Sequence, residues 1–86
     1  MIIVSQDKTK IVNFDNLTQI YRTQDEEKTV FFIRYETVDS LYDDLGEYKT
    51  EERAKEVLQE IIQKHIECND YFIGYVKNNV YEMPIK

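Results

Sequence analysis

The sequence predicts an α+β fold: an antiparallel β-meander of about five strands, one long amphipathic helix on one face, and a C-terminal β-hairpin. Three observations carry this. Short β-branched and aromatic runs separated by polar turns fill the chain from Ile2 to Tyr48. The stretch after Thr50 repeats its apolar residues at three- and four-residue steps. A further strand-turn-strand pattern runs from Tyr71 to Met83.

Ile2-Ile3-Val4-Ser5 is β-branched and apolar, hence a strand, and Ile11-Val12-Asn13-Phe14 is its return after a polar turn. Asp15-Asn16 is turn chemistry, because both side chains hydrogen-bond nearby backbone. Leu17 to Thr23 reads as a third strand, with Leu17, Gln19 and Tyr21 on one face and Ile20 on the other. A charged tip, Gln24 to Lys28, leads into Thr29 to Val38. There Phe31, Ile33 and Tyr35 share one face, and Val30, Phe32 and Val38 the other, mixed with Arg34 and Glu36. Apolar residues on both faces predict a central strand. Leu41 to Tyr48 is the fifth strand, with Gly46 near its end. Thr50 is a helix N-cap, and Glu51 and Glu52 fall in the first turn, where the helix dipole favours acids. Ala54, Val57, Leu58, Ile61, Ile62, His65 and Ile66 form one apolar face, and the helix runs to Cys68 or Asn69. Glu51–Lys55 and Glu60–Lys64 are favourable i,i+4 pairs. In the tail, Tyr71, Ile73 and Tyr75 alternate with Phe72, Gly74 and Val76, Lys77-Asn78-Asn79 turns, and Val80 to Met83 returns.

Eighty-six residues hold one domain and one core, with a narrow stability margin. The 42% hydrophobic content suffices for a globular fold. Seventeen acids against eleven bases leave a net charge of −6, and no Lys/Arg cluster is present. Direct nucleic-acid binding needs basic surface to displace counterions, so this chain is not expected to do it. The charge favours a basic protein partner, such as the nucleic-acid groove of another protein. A single cysteine excludes an internal disulfide. Met1 to Ser5 lacks the basic start of a signal peptide, and no apolar run reaches membrane-spanning length. The expected location is the cytoplasm.

No catalytic motif is recognisable, so no enzyme is expected. His65 and Cys68 are the chain's one His and one Cys, three residues apart on one helix. Both are good zinc ligands, and a zinc site would need two more, from Glu67, Asp70, Glu82 or a second chain. Both also lie on the apolar stripe, where a small thiol is ordinary packing. A nucleophilic Cys/His pair lacks an activating third group and a strained turn. The acids from Asp39 to Glu60 are dense but match no calcium loop. Glu52, Glu56 and Glu60 mark the outer helix face as a carboxylate row able to imitate phosphates, interrupted by Arg53 and Lys55. Seven tyrosines exceed what one small core can bury. Tyr71, Tyr75 and Tyr81 are therefore the candidate contact residues of the tail.

Two segments, Met1 to Asn16 (MIIVSQDKTKIVNFDN) and Leu45 to Ile61 (LGEYKTEERAKEVLQEI), resemble a group of short uncharacterised proteins from Gram-positive bacteria, their phages and prophages. The segment Asn69 to Lys86 is not covered. The resemblance supplies no catalytic residues. It implies a setting in which small acidic proteins bind and disable a host protein. Anti-CRISPR inhibitors of Cas9 are similar in size and charge, by analogy of type. The expectation is a non-enzymatic inhibitor of a host nucleic-acid-handling protein such as Cas9. The alternative is a self-associating structural module, zinc-stabilised or not, with no inhibitory role.

Overall fold

The computed structural model describes residues 1–68 and 79–86. Strands β1 (Ile2–Val4) and β2 (Ile11–Asn13) form an antiparallel hairpin, Ile3 facing Val12. Its turn is held from within. Ser5 is buried; its hydroxyl donates to Asp7 Oδ1 at 2.8 Å and accepts from the Lys10 N–H at 3.1 Å. Asp7 Oδ1 also accepts from the Thr9 N–H and hydroxyl, at 3.0 and 2.7 Å. The ladder then stops at a 3-10 turn, Phe14–Asn16, where Asn13 Oδ1 accepts from the Asp15 N–H. This local bond offers the backbone an alternative to continuing the sheet.

Strands β3 (Leu17–Gln24), β4 (Phe31–Thr37) and β5 (Tyr42–Tyr48) form a second, antiparallel sheet with β4 central. Asp25 builds the β3–β4 turn, accepting from the backbone of Thr29 and Val30, while Lys28 takes a left-handed φ of 60°. The expected alternation holds along β4, where buried Phe31 and Ile33 point inward. It fails at the start of β3, because the register shifts between Leu17 and Gln19. It also shifts in β5, where Ile33 faces Gly46 and Arg34 faces Asp44, leaving Leu45 as an extra, buried residue.

Helix α1 (Glu51–Cys68) packs across one face of this sheet, touching β3, β4 and β5. Thr50 caps it: its hydroxyl accepts from the Arg53 N–H at 3.1 Å, and its carbonyl from the Ala54 N–H. Ala54, Val57 and Ile61 are the buried stripe. Lys55 pairs with Glu51 at 3.1 Å as the spacing predicts.

The α+β class and the single long helix are as expected. The arrangement of strands differs from one five-stranded meander. Six strands are described, in two sheets of three, ordered β2-β1-β6 and β3-β4-β5. β6 (Val80–Glu82), the expected return arm of the tail hairpin, lies parallel to β1, Ile3 facing Tyr81. Parallel neighbours need a long crossover, and here β2, the second sheet and α1 all lie between β1 and β6 in the chain. The other arm, Tyr71 to Val76, lies outside the described residues.

The two sheets meet at Gln6. Its backbone N–H donates to the Leu45 carbonyl. Its side-chain amide accepts from the Glu47 N–H at 2.9 Å, and Nε2 lies 2.9–3.1 Å from the carbonyls of Glu47, Pro84 and Ile85. Gln6 thus pairs with the edge of β5 as a neighbouring strand would, and ties the C-terminal segment to it. Gly46 sits beneath this junction. A Cβ there would lie 3.1 Å from the Tyr48 hydroxyl and 3.3 Å from Gln6 Cβ, so any larger residue would push these neighbours back by a few tenths of an ångström. One core joins both sheets and the helix through Ile3, Ile33, Leu45, Val57, Ile61 and Met83. Burying each such side chain stabilises the fold by about 1.5–3 kcal/mol.

Candidate interaction surface

Four-residue steps advance a helix by about 40° beyond one full turn, so Glu52, Glu56 and Glu60 form a slanting ridge. All three are exposed. The ridge is not a bare acidic row. The half-exposed guanidinium of Arg53 reaches Glu56 Oε2 and Glu60 Oε2, both at 3.2 Å, and donates through Nε to the Lys86 carbonyl at 2.9 Å. The expected Glu60–Lys64 pair is replaced: Glu60 turns to Arg53 and to Tyr81, whose hydroxyl donates to Glu60 Oε1 at 2.8 Å. The ridge therefore carries three carboxylates, two of them held by one guanidinium. Glu52, alone of the three acids, enters none of these bonds.

Of the tail tyrosines, Tyr71 and Tyr75 lie outside the described residues. Tyr81 is half-buried, with its phenol pKa pushed up by burial and then by the Glu60 carboxylate it donates to. Its contribution to the surface is to hold Glu60 in place, with only part of its ring open to solvent. Tyr48, under the C-terminal segment, donates to the Pro84 carbonyl at 2.9 Å, and burial pushes its phenol up to about 12.

His65 stacks its ring on Phe14, centroids 4.4 Å apart, at the end of the apolar stripe. The Cys68 side chain lies outside the described residues. Among the described residues no three His, Cys, Asp or Glu side chains converge as metal ligands.

A second surface escaped the reading of the sequence. The face of the second sheet away from α1 carries Gln19, Tyr21 and Thr23, then Phe32, Arg34 and Glu36, then Tyr42, Asp44 and Glu47. Arg34 is at its centre. Its Nε donates to Asp44 Oδ1 at 2.8 Å, and its guanidinium lies 5.0 Å from the centre of the Tyr42 ring. Gln19 Nε2 donates to Glu36 Oε2 on the same face. The signal was present as the odd-even alternation of β3 and β4. A single helix was expected to cover one face of the sheet; which face it would leave uncovered could not be read.

Chemically, these surfaces are suited to binding. The carboxylates accept from Lys and Arg, and the half-exposed aromatics offer stacking area at low entropic cost. No helix among the described residues is long and apolar enough to cross a membrane. Comparison with protein-family models, with curated proteins and with solved structures returns no match.

Proposed function

We propose that this protein is a non-enzymatic, phage-type binding protein that inhibits a host nucleic-acid-handling protein by occupying its basic groove, with Cas9 as the specific target. The observation that carries this reading is the Glu52–Glu56–Glu60 ridge. Its carboxylates are exposed, and two of them are held in position by Arg53 and Tyr81. Carboxylates ordered before binding lose less side-chain entropy when a basic groove closes on them. The net charge of −6 steers the protein toward such a groove and away from nucleic acid itself. The resemblance of the two segments to short phage and prophage proteins supports the setting.

The test is DNA cleavage by guide-loaded Cas9 with increasing amounts of this protein, alongside a pull-down. Cleavage is expected to fall as the protein approaches the Cas9 concentration. The paired substitution Glu52→Lys and Glu56→Lys should restore it, and salt should weaken the complex. Undiminished cleavage at large excess sinks the Cas9 assignment. Capture of a different basic nucleic-acid-handling protein from host lysate would retain the broader reading.

A further inference from the structure

The two edges of the second sheet are treated differently. The outer edge of β5 is closed: Gln6 takes the Leu45 carbonyl and both backbone groups of Glu47, and Lys10 Nζ reaches the Asp44 carbonyl. The outer edge of β3 is open. Beyond Leu17, whose N–H donates to the Phe14 carbonyl, no hydrogen bond from another described residue reaches that edge. Apart from a bulge at its start, between Leu17 and Gln19, β3 lacks the usual defences of an exposed edge. It contains no Pro, no Lys and one charge, Arg22, which is paired with Glu51. Beside it, between β3 and the C-terminal half of α1, lies an apolar groove of about 300 Å³. Phe14, Ile20 and Leu58 form its floor, and Ile62 and Ile66 its rim, 49% and 57% exposed.

We infer that β3 is a self-association edge: a second copy of this chain pairs with it antiparallel, forming a continuous six-stranded sheet. The second copy presents the same unpaired strand, so one two-fold operation satisfies both edges. Antiparallel partners keep directly opposed side chains on one face. Ile20 of each copy therefore falls on the groove side of the seam, among the isoleucine rims of both helices. The charge distribution agrees. The Glu52–Glu56–Glu60 ridge is about a quarter turn or more from Ile62 around the helix, so the most acidic surfaces stay away from the seam. A seam of roughly 26 Å by 20 Å covers about 500 Å² per copy, near the lower limit for a specific interface, so the dimer is weak and concentration-dependent. The inference is independent of the inhibitory reading, since the ridge remains uncovered in the dimer.

Sedimentation velocity over a concentration series tests it, with circular dichroism to verify folding. A reversible dimer is expected, tightened by added salt because each copy carries −6. Ile62→Lys on the groove rim and Thr18→Lys on the exposed strand edge should each weaken it about tenfold or more. Glu47→Lys, on the closed opposite edge, should not weaken it. In a second measurement, amides along β3 should gain protection from hydrogen exchange as concentration rises. A monomer at every concentration up to about 1 mM overturns the inference. So does a dimer indifferent to both Ile62→Lys and Thr18→Lys, or one weakened equally by Glu47→Lys.

Discussion

Gln6 does the work of a missing strand with one side chain. Its amide donates and accepts along β5 and reaches two carbonyls of the C-terminal segment. Gln6→Ala leaves these backbone groups to water or unpaired and is expected to cost about 1–3 kcal/mol in urea denaturation. Gln6→Glu should cost a similar amount, because a carboxylate still accepts from Glu47 N–H but has no N–H to donate to the carbonyls around it. Titratable residues set the pH limits. The Thr9 and Ser5 hydroxyls and the Thr9 N–H hold Asp7 down to about 2 from 3.8. Its contribution is therefore present above pH 3.8 and is lost as pH falls toward 2. Tyr48 behaves oppositely: burial raises it from 10.0 to about 12, so its contribution is present below pH 10.0 and is lost as pH rises to about 12. Melting temperature against pH should fall at both ends. Asp7→Asn should flatten the acid limb and Tyr48→Phe the alkaline one.

At the scale of elements, the helix start and the turns obey local rules. Thr50→Ala removes the acceptor for the Arg53 N–H and should lower stability by about 1 kcal/mol, read by thermal or urea unfolding. Lys28 holds a φ of 60° in the β3–β4 turn, where a side chain is strained. Lys28→Gly should raise stability by up to about 1 kcal/mol, less any loss from greater freedom in the unfolded chain. The helix, its cap, the central position of β4 and the inward set Phe31 and Ile33 were all legible, because each rests on local periodicity or capping. The bulges at Thr18 and Leu45 were not. They arise where strands adjust to partners that no local pattern specifies.

For the whole molecule, β6 and the residues after it link three layers. Met83 is 1% exposed, Tyr48 and Gln6 bond Pro84, and Arg53 bonds Lys86. Removing Val80 to Lys86 would uncover Ile3 and the parallel edge of β1, and the cooperative unfolding transition monitored by circular dichroism should be lost. The candidate surface was legible in part. Glu52, Glu56 and Glu60 were placed on one helix face by spacing alone. The Arg53 contacts lie three and seven residues apart on the same helix, whereas the Tyr81 bond to Glu60 joins residues twenty-one positions apart and could not be read.

By itself, the sequence determined what local physics determines: strand or helix for the main described segments, the Thr50 cap, the apolar stripe of α1 and the sign of the surface charge. Propensity, periodicity and capping act within a few residues, so they can be read from neighbours alone. Only the tertiary structure decided that the strands divide into two sheets, that β6 runs parallel to β1, that Gln6 closes one edge while β3 stays open, and that Tyr81 and the Lys86 carbonyl meet the acidic ridge. Those outcomes depend on which distant surfaces bury best against one another. Burial is a property of the assembled core, which adjacent residues do not encode.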